Sequence, residues 1–168
     1  MGEKNMGLPR FQALLEALAR RLDLNGSIFS NLKLEYFKVD LSDNTGNGEI
    51  VTFGGGTTTA GKIYYLNSSG NWAEAGVSSA AIGGKGILAI ALGTSPSSDG
   101  MLVRGFFDAA SYLTGTFTSG ATVYLAANAQ LTTTAPSTST EILRVAGVCT
   151  DTSKIIYFNP SADYLVIE

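Results

Sequence analysis

The chain has 168 residues, of which 45% are hydrophobic and 15% charged, and its formal net charge is −3. The acidic balance disfavours general nucleic-acid binding, which depends on neutralising phosphates. The single cysteine, Cys149, excludes an intrachain disulfide. The chain has no histidine, so the commonest general base and the commonest metal ligand are absent.

Length and hydropathy place further bounds on the class of protein. The length suits one domain with an appendage, and the composition allows a sizeable core. No apolar run approaches the roughly 20 residues that a membrane-spanning helix needs. The first 15 residues lack the compact apolar centre and the cleavage site of a signal peptide. We therefore expect a soluble protein made in a cytoplasm.

One helix is predicted, near residues 8–24. Its apolar residues are spaced three and four apart, which produces a heptad seam: Leu8, Phe11, Leu15, Leu18 and Leu22. An isolated helix of this length is marginal in water and must pack against something. The pattern leaves two partners open, namely the chain's own β-domain and the same helix in neighbouring subunits.

The N-terminal segment, residues 1–40, differs in charge from the rest of the chain. Residues 1–39 carry six basic and four acidic side chains, whereas residues 40–168 carry five basic and ten acidic ones. Arg20 and Arg21 belong to this basic excess, and Phe29 adds an apolar side chain that the seam does not require. We interpret these residues, together with the seam, as a candidate oligomerisation and attachment segment.

The remainder, residues 41–168, is predicted to form an antiparallel β-barrel or sandwich. Short runs rich in Val, Ile, Leu and Tyr alternate with Gly, Asn, Ser and Thr, which is typical of strands and turns. Gly86–Leu92 is apolar at both odd and even positions, so both of its faces should be buried. Trp72 is predicted to cover one end of the fold. The apolar tail at Tyr164–Ile167 is expected to form an edge strand or to dock on a neighbouring copy.

Two stretches suggest an internal duplication. Gly61–Leu66 reads GKIYYL and Gly120–Leu125 reads GATVYL, and an apolar residue, Trp72 or Leu131, follows each at the same offset. Each copy continues into a similar strand, ILAIA beginning at Ile87 and ILRVA beginning at Ile142. The pattern predicts two related strand–loop–strand units, although β-rich sequences also produce such matches by coincidence.

No residue pattern indicates catalysis, a cofactor or a metal. Asp40, Asp43, Asn44, Asn47 and Glu49 could supply calcium ligands, but their spacing differs from that of an EF-hand and suits an ordinary turn. No pair of carboxylates has a spacing that marks the acid and base of a glycosidase. We therefore expect a protein that is not an enzyme and needs no cofactor.

Four stretches between Lys62 and Ser161 carry a family resemblance. They read KIYYLNSSGNWAEA, GILAIALGTSPSSDGMLVRGFF, GATVYLAANAQLTTTAP and EILRVAGVCTDTSKIIYFNPS. They resemble small β-domains of tailed-bacteriophage virion proteins, both capsid decoration (cement) proteins and tail-fibre or head-fibre proteins. The resemblance covers about the last two-thirds of the chain and consists of strand and turn patterns. Residues 1–40 lie outside it.

This resemblance implies a structural role in a virion. The first hypothesis is a homotrimeric decoration protein that binds the phage major capsid protein or other virion proteins and stabilises the head. The alternative is a tail or head fibre protein whose β-domain binds a receptor or carbohydrate through exposed Trp72, Tyr112 or Phe117. We favour decoration, because the chain is short and has no long repetitive shaft.

Overall fold

A computed structural model of the protein describes residues 41–78, 82–150 and 154–168. These residues form a mainly β structure, as the sequence predicted, with one short 3₁₀ turn at Ile82–Gly84. The predicted helix near residues 8–24 lies outside the described residues. The strands in these ranges are β1 (Gly46–Val51), β2 (Ile63–Leu66), β3 (Trp72–Glu74), β4 (Leu88–Ala91), β5 (Met101–Asp108), β6 (Leu113–Thr114), β7 (Thr122–Leu125), β8 (Leu131–Thr132), β9 (Ile142–Leu143), β10 (Val145–Cys149), β11 (Ile155–Phe158) and β12 (Leu165–Val166).

Ten of the strands form one curled sheet, in the order β3-β2-β4-β5-β11-β10-β7-β8-β6, with β1 paired to β5 outside this path. All pairs are antiparallel except β6 with β8. The remaining strands, β9 and β12, form a separate two-stranded sheet. The predicted antiparallel β-architecture is therefore confirmed at the level of a curled sheet.

Strand β5 joins the parts of the main sheet. β1 pairs with it from Met101 to Phe107, with a bulge between Glu49 and Ile50. Since a strand has two edges, β4 and β11 must share the edge opposite β1. β4 takes the first end of that edge, at Met101 and Leu102, and β11 takes the other end, from Gly105 to Asp108.

The pairing supports the predicted duplication in its first half. Leu66 faces Trp72 across β2 and β3, and Leu125 faces Leu131 across β7 and β8. Each hairpin then pairs with a following strand, β4 in the first unit and β10 in the second.

The second half of the predicted repeat is out of register. Tyr65 faces Leu88, whereas the equivalent Tyr124 faces Val145 and not Leu143, which the match of ILAIA to ILRVA required. The register also shifts between Val145 and Gly147 in β10. The match of ILAIA to ILRVA is therefore wrong by two residues.

Two apolar clusters stabilise the sheet, one on each face of β4. Leu88 and Ile90 belong to the larger cluster, together with Phe107, Leu125 and Phe158 among others. Ala89 and Ala91 belong to the smaller cluster on the opposite face. All four residues of β4 are buried, which confirms the prediction of two buried faces for Leu88–Ala91, whereas Ile87 within the predicted range Gly86–Leu92 is 50% exposed. Each large side chain buried here contributes roughly 1.5–3 kcal/mol.

The segment that follows β1 covers the smaller cluster. Trp72 belongs to this cluster and is only 3% exposed, and its Nε1 donates a hydrogen bond of 2.8 Å to the carbonyl of Phe53. Thr58 Oγ1 donates to the carbonyl of Gly93 at 2.7 Å, and the N–H of Thr59 donates to the Tyr64 hydroxyl at 2.8 Å. Trp72 thus lies beneath a loop at the start of β3, the terminal strand of the main sheet.

The contact between β1 and β5 depends on two glycines that face each other. Gly48 and Gly105 have φ angles of 144° and 146°. A Cβ on Gly105 would lie 2.1 Å from the carbonyl oxygen of Asn47. We expect Gly105→Ala to destabilise the fold by at least about 2 kcal/mol, because it combines backbone strain with a clash that separates two strands. Denaturant unfolding followed by circular dichroism measures this loss.

Gly120→Ala is the matched control for that prediction. Gly120 also has a positive φ, 79°, but nothing lies within 4 Å of a Cβ placed on it. Its substitution should cost only the backbone strain, about 1–2 kcal/mol. Equal losses for the two variants would show that the close approach of β1 to β5 does not limit stability.

Candidate functional site

The residues predicted for oligomerisation and attachment all belong to residues 1–40. Leu8, Phe11, Leu15, Leu18, Leu22, Arg20, Arg21 and Phe29 lie outside the described residues, so their assignment stays a prediction. The candidate site that the structure describes is at the other end of the chain.

The apolar tail forms an edge strand, as one of the two sequence interpretations predicted. β12 pairs with β9 through Leu165 with Leu143 and Val166 with Ile142. Leu165 is 67% exposed and Val166 46%, and Tyr164 is also exposed. The outer edge of β12 pairs with no other strand among the described residues. An apolar edge of this kind can accept a strand or an apolar surface from another chain.

The backbone before β12 is held to the body of the protein by three hydrogen bonds. The N–H groups of Asn159 and Ser161 each donate at 2.9 Å, to the carbonyls of Ala146 and Val145. Arg144 Nε donates to the carbonyl of Ser161 at 2.9 Å. These bonds fix the backbone that leads into the exposed strand.

A strained residue anchors the strand itself. The N–H of Thr140 donates to the carbonyl of Ile167 at 2.7 Å, and the N–H of Ile167 donates to the carbonyl of Glu141 at 2.9 Å. Thr140 has a φ of 69°, which a β-branched residue rarely adopts. The conformation directs the Thr140 N–H towards the tail at a cost in backbone strain.

The aromatic residues proposed for sugar stacking do not form an exposed platform. Trp72 is buried, so the expectation that it is available to a ligand is wrong. Phe117 packs against the larger core cluster, and Tyr112 is half-buried. Phe53, which the sequence reading did not single out, is exposed but packs its ring 5.8 Å from that of Trp72. Its position after a strand and before a glycine run gave no signal of this contact.

The candidate calcium ligands that the structure describes take part in a turn and a strand. The turn around Ser42 is closed by Thr45, whose hydroxyl donates to the Ser42 carbonyl at 2.7 Å. Asn47 and Glu49 belong to β1, which begins at Gly46. Within the described ranges, no group of three or more acidic, cysteine or histidine residues is placed to hold a metal ion.

The described carboxylates have structural surroundings. Backbone hydrogen bonds, chiefly from the N–H of Ser95, lower the pKa of the Asp99 carboxyl and stabilise the loop before β5. The buried Asp108 accepts a hydrogen bond from the N–H of Ala110 at 3.0 Å. Glu49 lies 3.7 Å from Arg104. Each of these three carboxylates thus stabilises a turn or a pair of strands.

Comparisons with models of known families, with curated sequences and with solved structures find no match for this chain.

None of the helical structure in the described residues has the length and apolar character needed to cross a membrane.

The strain at Thr140 generates a stability prediction. We expect Thr140→Asn to stabilise the protein by about 0.5–1 kcal/mol, because asparagine tolerates positive φ better than a β-branched residue. The gain should appear as a higher denaturant midpoint at an unchanged slope.

Thr138→Asn serves as the matched control for Thr140→Asn, since Thr138 is an exposed threonine in the same loop without a positive φ. It should change stability by no more than about 0.5 kcal/mol. A midpoint for Thr140→Asn at or below that of the control would contradict the strain argument.

Proposed function

We propose that this protein is a non-enzymatic structural protein of a tailed-phage virion, and that it acts as a trimeric decoration protein which stabilises the head. The resemblance of residues 62–161 to such β-domains supports the class of protein. The observation that carries the assembly step is the apolar strand at the C-terminal end, with Leu165 and Val166 exposed side by side.

The exposed strand favours assembly on physical grounds. Proteins commonly protect the edge of a sheet with charged residues, proline or a covering segment. β12 consists of Leu165 and Val166 and is preceded by the exposed Tyr164, so this edge contains neither a charged residue nor a proline. Full burial of each large side chain at a subunit contact would contribute roughly 1.5–3 kcal/mol. A contact repeated in each copy of a trimer multiplies that gain.

Residues 1–40 supply the attachment in this proposal. The predicted helix near residues 8–24 presents the seam Leu8, Phe11, Leu15, Leu18 and Leu22 to neighbouring copies. Phe29 adds apolar contact with the particle. Arg20 and Arg21 orient the segment on an acidic surface such as that of the major capsid protein. They add little to the affinity, because exposed ion pairs are worth only about 0–1 kcal/mol each. Avidity in the trimer strengthens a weak single contact.

The fibre alternative has less support in the described domain. It required exposed aromatic side chains for a carbohydrate, and Trp72 is buried beneath a loop. Decoration needs no such platform. The two functions still differ in a measurable way, because a decoration protein binds particles and a receptor-binding fibre domain binds host cells.

The role of β12 in assembly is tested by Leu165→Asp. We expect this variant to fold as well as the wild type, because the side chain is mostly exposed, and to shift the protein from trimer towards monomer, because it places a charge in the subunit contact. Sedimentation at several concentrations measures the shift.

Val148→Asp is the control for that experiment. Val148 is 41% exposed on β10, in the main sheet, and so carries a comparable exposed apolar side chain on a different sheet. It should sediment as the wild type does. A trimer that persists unchanged in Leu165→Asp would remove β12 from the interface, and a monomeric wild type at high concentration would reject the trimer.

The role of the N-terminal seam is tested on phage particles that lack this protein. Wild-type protein should bind them and raise their resistance to heat. The full-length double variant Leu15→Asp, Leu18→Asp should lose most of this binding, because two charges in an apolar seam oppose its burial. Co-sedimentation with particles measures the binding, and circular dichroism checks the fold of each protein.

Arg20→Gln is the milder companion variant for the particle assay. Its binding should fall only a few-fold and should depend on salt, as expected for an orienting charge. Wild-type protein that binds host cells and not particles would overturn decoration in favour of the fibre alternative.

A further inference from the structure

A cleft opens where the main sheet divides. β4 and β11 pair with opposite ends of one edge of β5, β4 at Met101 and Leu102 and β11 from Gly105 onwards, and Val103 lies between the two. The cleft there has a volume of about 470 Å³. The side chains that matter to its chemistry are Lys85, Ile87, Val103, Arg104, Arg144 and Asn159.

Arg144 lies at this cleft and is only 4% exposed. Its Nη1 donates to the carbonyls of Gly84 at 2.8 Å and Gly86 at 2.6 Å, and its Nε donates to the carbonyl of Ser161 at 2.9 Å. These bonds fix the guanidinium plane between the loop before β4 and the segment after β11. Its Nη2 donates to no described residue.

The charge of Arg144 is not balanced by an acid among the described residues. The ion pairs described there join Lys62 to Glu74 and Arg104 to Glu49. Burial lowers the pKa of the Arg144 guanidinium, which shows the same imbalance. Carbonyl dipoles offset part of the desolvation cost, but burial of a cation without an acidic partner remains unfavourable. A compensating anion would remove much of that cost.

Two further cations and one carboxylate line the cleft beside Arg144. Lys85 and Arg104 line it together with Arg144, and Glu49 is the one acidic residue among the lining side chains. Glu49 Oε1 lies 3.7 Å from Arg104 Nη1, so it offsets part of the charge of Arg104. Ile87, which is half exposed, provides an apolar wall beside the charged groups.

We propose that this cleft is a binding site for a small oxyanion, a carboxylate or phosphate group, which is held by Arg144 and Lys85. A planar guanidinium donates parallel hydrogen bonds that match the oxygens of either group, and Nη2 is the donor of Arg144 that the carbonyls leave available. A clamp that only tied together the three carbonyls would not need the open cleft beside it. The site is independent of the proposed role in a virion.

The test follows the thermal unfolding of the full chain as sodium phosphate, sodium malonate or sodium chloride is added at matched ionic strength. The expected result is a midpoint that rises and saturates with phosphate, malonate or both, and shows no saturating rise with chloride. Saturation separates binding from the general stabilisation by excluded salts, which continues to grow with concentration. Phosphate alone or malonate alone would identify which oxyanion the site prefers.

Lys85→Gln is the main variant, since loss of Arg144 could prevent folding. One lost charge-assisted contact should raise the half-saturating concentration about tenfold. Lys154→Gln removes an equal charge from a lysine whose Nζ lies 3.2 Å from the carbonyl of Ala110, outside the cleft, and should leave the value unchanged. The proposal is overturned if neither oxyanion gives a saturating shift, or if the two variants respond alike.

Discussion

The fold depends on the pairing of β5 along both of its edges. One edge is covered by β1, and this requires the close approach of Gly48 to Gly105, where no side chain fits. The other edge is shared by β4, which belongs to the first repeated unit, and β11, which pairs with β10 of the second unit. β5 therefore holds together the first unit, the second unit and the strand that precedes both. Phe107 at one end of β5 and Leu102 at the other are fully buried in the larger cluster, so the pairing and the core reinforce each other.

The sequence predicted those features that depend on local patterns. Short apolar runs located most strands, uniform hydrophobicity identified β4 as buried on both faces, and the apolar tail was expected at an edge. Features that arise from distant contacts were missed. Trp72 is buried because a loop ending some residues before β2 folds back over it. Arg144 lies in a sequence stretch that is typical of a strand. The carbonyls that accept hydrogen bonds from its guanidinium belong to Gly84, Gly86 and Ser161. No local spacing could indicate such a set.

The cleft at Arg144 and the exposed strand β12 are connected through one short stretch of chain. Leu143 pairs with the exposed Leu165, while the adjacent Arg144 holds the carbonyl of Ser161 just before that strand. The guanidinium thus fixes the start of the tail, and Thr140 fixes its end through the carbonyl of Ile167. An anion at Arg144 would change the electrostatic surroundings of the residue that positions β12. The charged cleft and the apolar strand differ in chemistry, but Arg144 contributes to both.

One edge of β5 stays incomplete until the ribosome has synthesised β11. Its contacts join residues far apart in sequence, Gly46 with Phe107 and Asp108 with Ile155, and such topologies fold slowly. At typical synthesis rates, roughly 3–10 s pass between the emergence of β5 and that of β11. During this interval half of one edge of β5, beside the apolar Phe106 and Phe107, has no partner. Nascent chains on neighbouring ribosomes could pair there, so misassembly during synthesis is a built-in hazard of this topology.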